Sequence, residues 1–253
     1  MPTAEGLLLV AHGSRDDRAA PVAHEVAAAV ARLRPGLATG AAFLELATPT
    51  PQEAVESLAA QGVTDLAVVP FLLSDAYHAQ EDLPAVADLA RSRGWTVRLS
   101  RVLGPDPRLV EAMAARLAEA RPSGEPPFDA VVLAAAGSSS RQANDTVAEV
   151  AADLGHLLGV PARWAFASAA APTVEEAVGD LRARGADRVG VATYLLAPGF
   201  FADRIRAAAA SGGAVAVTEP LGACPQVAAI VADRASLDDR LGRPDGGKPV
   251  TGN

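Results

Sequence analysis

Short apolar runs alternate with longer, Ala-rich segments along the first 120 residues of the chain. Residues 6–11 form an unbroken apolar run, as is typical of a strand that is buried on both faces. Residues 21–33 follow, with Val22, Val26 and Val30 spaced to lie on one face of a helix. The same alternation predicts strands at 41–46, 66–73 and 95–99 and helices at 52–61, 83–92 and 107–120. This order indicates an α/β fold with a parallel sheet covered by helices on both faces.

The pattern restarts after a Pro- and Gly-rich linker at residues 122–127. Strands are then predicted at 130–135, 161–166, 188–196 and 214–217, and helices at 142–158, 173–184 and 202–210. We therefore predict two domains, at residues 1–121 and 128–241. The tail at 242–253 is rich in Gly and Pro and is predicted to be disordered.

The two predicted domains also match each other in sequence. Residues 49–55 align with 172–178, and residues 70–73 align with 193–196. A Leu-Gly pair precedes the last helix of each half, at 103–104 and at 221–222. The chain is therefore predicted to be an internal duplication in which two small doubly wound domains face each other.

Composition and charge narrow the class of protein. Half of the residues are apolar but only 4% are aromatic, so the cores must be built from small aliphatic side chains. The net charge of -8, with acids and bases interspersed, argues against binding to nucleic acid or to an anionic membrane surface. Cys224 is the only cysteine, which excludes an internal disulfide and a thiolate metal cluster within one chain. The apolar run at 6–11 is too short for a signal peptide or membrane span, so a cytoplasmic protein is expected.

Three residues that can bind metal lie at or after predicted strand ends in the first half. His12 directly follows the first strand, Glu45 lies at the end of the second, and His78 lies a few residues past the third. Ligands bind at the carboxyl ends of strands in open parallel sheets, so these side chains are expected around one crevice. Two imidazoles and a carboxylate suit a borderline divalent ion such as Fe(II), Co(II), Ni(II) or Zn(II). Each residue alone could instead be an ordinary polar side chain, and Glu45 could cap a helix or pair with Arg15.

The second half lacks all three of these side chains. Its aligned residues are Ala136, Ser168 and Phe201, although Gly137 and Ser138 are retained. Loss of the whole set within a retained framework predicts a single site per chain, to which the second half contributes a wall. Phe200 and Phe201 could present a flat apolar surface to a planar ligand, or they could simply pack in the core.

Three segments carry a resemblance to a known family. Residues 8–15, 43–46 and 69–78, followed by Asp82 and Pro84, resemble the sirohydrochlorin chelatases, which are class II chelatases related in fold to ferrochelatase. The likeness is strong over residues 6–120 and weaker over 128–240. Two positions depart from this pattern. Ala11 stands where a Gly is common, which is a mild change. Asp75-Ala76 stands where a small residue and a Gly are usual, and this difference could alter the geometry of the loop and the metal preference.

The resemblance implies a tetrapyrrole site in an interdomain cleft and ATP-independent insertion of Fe(II) or Co(II) into sirohydrochlorin, in siroheme or cobalamin biosynthesis. It implies a divalent metal ion as substrate and no permanently bound cofactor. The metal and catalytic residues would be His12, His78 and Glu45. A nickel chelatase, or a non-catalytic protein that binds tetrapyrrole or metal, is the alternative.

Contacts to the substrate are expected next to these residues. Ser14 and Arg15 lie where they could donate hydrogen bonds to the carboxylates of the macrocycle. Tyr77 is also predicted to bind the substrate. The expected partners are sirohydrochlorin and a divalent metal ion, with no nucleic acid or membrane. The protein is expected to be a monomer or a homodimer.

Overall fold

The computed structural model describes residues 4–74 and 77–236, without the side chains of residues 77–81. The predictions made for the Asp75-Ala76 loop and for the tail at 242–253 lie outside the described residues. The first repeat contains β1 (Ala4–Ala11), α1 (Ala19–Leu33), β2 (Ala38–Phe43), α2 (Pro51–Ala60), β3 (Val63–Pro70), α3 (Tyr77–Arg91), β4 (Thr96–Leu99) and α4 (Pro107–Ala120). The second repeat contains β5 (Ala130–Ala135), α5 (Arg141–Leu158), β6 (Ala162–Phe166), α6 (Val174–Ala183), β7 (Val189–Thr193), α7 (Phe200–Gly212), β8 (Ala216–Val217) and α8 (Pro225–Ser236).

Each repeat forms one four-stranded parallel sheet. The strand order is β2-β1-β3-β4 in the first sheet and β6-β5-β7-β8 in the second. Ala11 aligns with Phe43 of β2, and Val10 aligns with Pro70 of β3, so three strands end at nearly the same level. The predicted α/β class, with helices on both faces of each sheet, is confirmed.

Two boundaries differ from the prediction in ways that affect the site. β2 ends at Phe43 instead of residue 46, so Glu45 lies in the turn after the strand. The reason is backbone conformation, since Leu46 adopts a left-handed φ of 62° although its side chain continues the apolar pattern. α3 begins at Tyr77 instead of residue 83, which places Pro84 inside the helix although proline favours a first turn.

Three apolar cores hold the layers together, because alternate strand residues point to opposite faces. Leu8 and Val10 of β1 face α2 and α3 on the outer side of the first sheet. Leu7 and Leu9 point inward, into a central core that both repeats share. A third core lies between the second sheet and α6 and α7. The two repeats are therefore joined by a continuous apolar layer and not only by the linker.

The helices of the central layer are exchanged between the repeats. α4, the last helix of the first repeat, packs against α5, β7 and β8 of the second. α8, the last helix of the second repeat, packs against α1 and β3 of the first. Each sheet is thus covered on its inner face by one helix of its own repeat and one of the other.

Local details repeat along with the topology. Thr50 and Glu53 form a capping box at the start of α2, and Thr173 and Glu176 form the same box at the start of α6. In both, the threonine side chain accepts a hydrogen bond from the glutamate N–H while the glutamate accepts one from the threonine N–H. The alignment of residues 49–55 with 172–178 is therefore also a structural equivalence.

A buried arginine fixes α8 to the loop between β4 and α4. Arg234 is only 4% exposed. Its Nε donates to the Val102 carbonyl and its Nη2 to the Leu103 carbonyl, both at 3.2 Å. Nη2 also lies 3.5 Å from Asp106 Oδ2. Burial raises the pKa of Asp106, but hydrogen bonds from the Arg108 side chain and backbone outweigh it, so the pKa is lowered and the carboxylate stays ionised.

Replacing this arginine is expected to be costly for stability. Arg234→Met would leave two carbonyls and part of a carboxylate without their donor, so we expect the free energy of unfolding to fall by about 3 kcal/mol. Urea unfolding followed by circular dichroism would measure the loss. Arg141→Met is the matched control, because that side chain is 94% exposed and its ion pair to Asp145 is a surface one. Equal stability of the two variants would contradict a structural role for Arg234.

Candidate metal centre and interdomain cleft

His12 and Glu45 are brought together by the backbone at the end of β1. The Leu44 N–H donates to the Ala11 carbonyl and the Glu45 N–H donates to the His12 carbonyl, each at 3.0 Å. These bonds hold the turn after β2 against the turn after β1. The pairing of the two strands therefore fixes the separation of these two candidate residues.

Gly13 makes this close approach possible. Its φ is 103°, and a Cβ added there would lie 1.7 Å from the Glu45 carbonyl oxygen. Gly137, its counterpart in the second repeat, has a φ of 90° and would clash in the same way with the carbonyl oxygen of Ser168. The second repeat keeps the same backbone geometry although it lacks the predicted ligands.

The two side chains meet directly. His12 Nε2 lies 3.0 Å from Glu45 Oε1, and the side chains are 47% and 54% exposed. A carboxylate on one ring nitrogen orients an imidazole and makes it a better base or metal ligand. The sequence left open that Glu45 caps a helix or pairs with Arg15, but in the structure Glu45 pairs with His12, and the N-cap of the helix that follows is Thr50. Within the described residues no ion pair joins Glu45 to Arg15, whose side chain is exposed.

For His78, the third predicted ligand, the structure describes only the backbone. Tyr77 and His78 are the first two residues of α3, and their side chains lie outside the described part of the chain. In that part, no three His, Cys, Asp or Glu side chains are close enough to hold one metal ion. The described residues thus bring together two of the three predicted ligands, and the place of His78 among them stays a prediction.

A cleft between the repeats opens beside His12. It has a volume of about 370 Å³ and is lined on the first repeat by His12, Ser14 and Phe71 and on the second by residues 195–202. Phe200 and Phe201, two of these residues, are 69% and 40% exposed, with ring centroids 5.5 Å apart in an edge-to-face arrangement. They therefore form an apolar wall of this interdomain cleft, and the alternative that they pack in the core is wrong.

A second space, the outer cavity, lies on the other side of His12. It has a volume of about 560 Å³ and lies between α2 and α3, with Glu45, Thr50, Gln52 and Asp82 in its lining. Sequence reasoning did not assign Thr50, Gln52 or Asp82 to the site. Their positions in the sequence could have indicated them. α2 begins shortly after the turn that contains Glu45, and Asp82 lies one helical turn beyond His78 on α3.

An ion-pair network bridges the two repeats at the rim of the cleft. Arg18 Nη2 lies 2.6 Å from Asp16 Oδ2 and 2.6 Å from Asp203 Oδ2 of α7. The hydrogen bond from Arg18 lowers the pKa of Asp16 to about 2, so this carboxylate stays charged at neutral pH. Ser14 Oγ lies just inside this rim and accepts a hydrogen bond from the Asp16 N–H at 3.0 Å.

The comparisons with known proteins agree with this architecture. The sequence matches the CbiX family over residues 6–120 and again over residues 130–237. The chain belongs to the CbiX family. Both matched ranges coincide with the two repeats, so the CbiX unit occurs twice in this chain and the internal duplication is confirmed.

Named CbiX-like relatives include chelatases for two metals. A sirohydrochlorin ferrochelatase of Bacillus subtilis is 31% identical over 210 residues, which cover 79% of this chain and 77% of the relative. A sirohydrochlorin cobaltochelatase of Methanosarcina barkeri is 31% identical over 124 residues, 46% of this chain and 95% of the relative. The latter relative is therefore about as long as one repeat.

A solved structure supports the two-repeat arrangement of this CbiX-family chain. The structure of SirB from Bacillus subtilis with Fe3+ superposes with a TM-score of 0.78 at 26% identity, covering 92% of this chain and 95% of that one. None of the helices in the described ranges combines the length and the apolar character that a membrane crossing requires.

Proposed function

We propose that this chain inserts a divalent metal ion, Fe(II) or Co(II), into sirohydrochlorin, in siroheme or cobalamin biosynthesis. The observation that carries the proposal is the His12–Glu45 pair, which stands exposed at the end of β1 and beside an apolar interdomain cleft. The family and the chelatase names of its relatives support the same chemistry. The reaction needs no ATP, and the metal ion is a substrate, not a resident cofactor.

The site has to carry out two tasks during insertion. The metal ion must lose water and reach one face of the macrocycle, and two pyrrole N–H protons must leave as the metal–nitrogen bonds form. A neutral imidazole can serve in either task, because its nitrogen binds a borderline divalent ion or accepts a proton near neutral pH. In this proposal His12 and His78 share these tasks, and Glu45 orients the His12 ring and takes part in binding the ion.

The cleft supplies contacts for the macrocycle itself. Phe200 and Phe201 offer apolar surface to the flat ring system. Ser14 lines the cleft and Arg15 is the exposed residue that follows it in the chain, and in this proposal both donate hydrogen bonds to peripheral carboxylates. Tyr77 is proposed to contact the substrate from the start of α3. The cytoplasmic location and a monomeric or homodimeric state remain expectations from the sequence.

Anoxic absorbance spectroscopy tests the proposal. Sirohydrochlorin is mixed with Fe(II), Co(II) or Ni(II), with and without the protein, and the initial rates are compared. We expect protein-dependent rates well above the spontaneous rate with Fe(II) or Co(II). A rate that exceeds the others with Ni(II) would instead support a nickel chelatase. Tight binding of metal or macrocycle without turnover would identify a non-catalytic binding protein and would overturn the proposal.

A further inference from the structure

Two spaces of different chemistry meet at a single side chain. The interdomain cleft lies between the repeats, on the inner side of the first sheet, and the outer cavity lies between α2 and α3 on the other side. Of the described residues that line them, only His12 lines both. His12 therefore lies between the two spaces.

The linings suit different ligands. On the cleft side the walls are largely aliphatic and aromatic, with Phe71, Phe200 and Phe201 among them. The outer cavity also has aliphatic side chains in its lining, but it differs in carrying two carboxylates, Glu45 and Asp82, and the neutral oxygens of Thr50 and Gln52. Oxygen donors with net negative charge attract a hydrated divalent cation, whereas a flat macrocycle gains more from the apolar walls.

A macrocycle in the cleft would also cover His12 from that side. A metal ion that followed it through the cleft would then have to pass the bound substrate. The outer cavity borders the same residue from the other side, and apart from His12 it shares none of its lining residues with the cleft among the described residues. With separate access, the bound macrocycle would not block the metal ion on its way to His12.

Asp82 is placed to act before the ion reaches His12. It lies on α3 with an exposed side chain, and it lines the outer cavity together with Glu45. No three acidic or metal-binding side chains of the described residues are close enough to share one ion, so Asp82 does not bind an ion jointly with His12 and Glu45 in this arrangement. Asp82 is therefore placed to bind the ion before it reaches His12 and Glu45, and not to bind it together with them.

We propose that the metal ion and the tetrapyrrole enter by separate routes, the metal ion through the outer cavity and the macrocycle through the interdomain cleft, and that Asp82 recruits the ion. This inference rests on the proposed function and names the path of one of its substrates. Asp82 is a recruiting residue that does not touch the macrocycle.

Kinetics of Asp82→Asn test the recruiting role. We expect the KM for Co(II) to rise about 10-fold, while kcat at saturating Co(II) and the KM for sirohydrochlorin stay within twofold of wild type. Asp88→Asn is the matched control, since Asp88 lies on the same helix, pairs with Arg91 and is absent from the lining of the outer cavity. A loss of kcat without a change in the KM for Co(II), or an equal effect of Asp88→Asn, would overturn the role.

Obstructing the outer cavity tests the separate routes. Ala85 lines it with an exposed side chain, so Ala85→Trp should fill it without disturbing the core. We expect slower insertion at low Co(II) but unchanged binding of metal-free sirohydrochlorin, measured by quenching of protein fluorescence. Weakened sirohydrochlorin binding with normal use of Co(II) would overturn the assignment of the routes.

Direct metal binding separates this inference from the proposed function. Co(II) is titrated into the protein without sirohydrochlorin and followed by calorimetry, for wild type, Asp82→Asn and Asp88→Asn. Weaker binding in Asp82→Asn alone supports the recruiting role even if the wild-type protein fails to metallate sirohydrochlorin. Equal binding by all three proteins would overturn that role even if the wild-type protein is an active chelatase.

Discussion

Replacing His12 with alanine is expected to lower kcat/KM for Co(II) insertion into sirohydrochlorin by about 100-fold or more. His12 Nε2 lies 3.0 Å from Glu45 Oε1, and His12 lines both the interdomain cleft and the outer cavity. Under the proposed function its loss removes a metal ligand and a base. Initial rates by absorbance, with metal and sirohydrochlorin varied separately, would measure the effect. The double variant His12→Ala/His78→Ala should fall to the spontaneous rate.

The control for this prediction is His156→Ala. His156 is exposed on α5 in the second repeat, far along the chain from either candidate ligand, and its loss should leave the rate unchanged. Metallation by the double variant at the wild-type rate would show that the histidines are not required. In that case the site would have to be sought elsewhere.

Gly13→Ala is expected to lower the free energy of unfolding by about 4 kcal/mol and to abolish insertion. An alanine would be held at a φ of 103°, which costs about 1–2 kcal/mol by itself. Its Cβ would also lie 1.7 Å from the Glu45 carbonyl oxygen, so the backbone of the two turns would have to separate. Urea unfolding and the insertion assay on the same preparation would measure both effects.

Gly36→Ala separates these two contributions. Gly36 has a similar φ of 96°, but a Cβ added there meets no atom within 4 Å. We expect this variant to lose only about 1 kcal/mol and to keep its activity. Equal losses for the two variants would mean that conformation alone, and not the contact between the turns, explains the requirement for glycine at position 13.

The layered fold was predictable because its signals are local and repeated. Continuous apolar runs such as residues 6–11 indicate buried strands, and the restart after residues 122–127 indicates a duplication. The strand boundary at Phe43 was not predictable in the same way. Leu44 and Leu46 extend the apolar run, while the chain turns because Leu46 takes a left-handed conformation.

The contact between His12 and Glu45 was predictable from the sequence, whereas the spaces around it were not. Parallel strands end at one edge of a sheet, which was enough to expect His12 near Glu45. The outer cavity was not expected, because it depends on how far α2 and α3 stand apart beside the Glu45 turn, and the apolar pattern of a helix does not specify that spacing. The burial of Arg234 depends on which sheet α8 covers, and an apolar helix face does not specify its partner.

The exchanged positions of α4 and α8 also constrain how the gene can evolve. Truncation after the first repeat would remove α8 from the inner face of β3 and expose apolar side chains such as Ala67 and Val69 to water. It would also leave α4 without the sheet on which it packs. The second copy lacks counterparts of His12 and His78, yet its helix α8 covers the first sheet, so the first copy depends on the second for its fold.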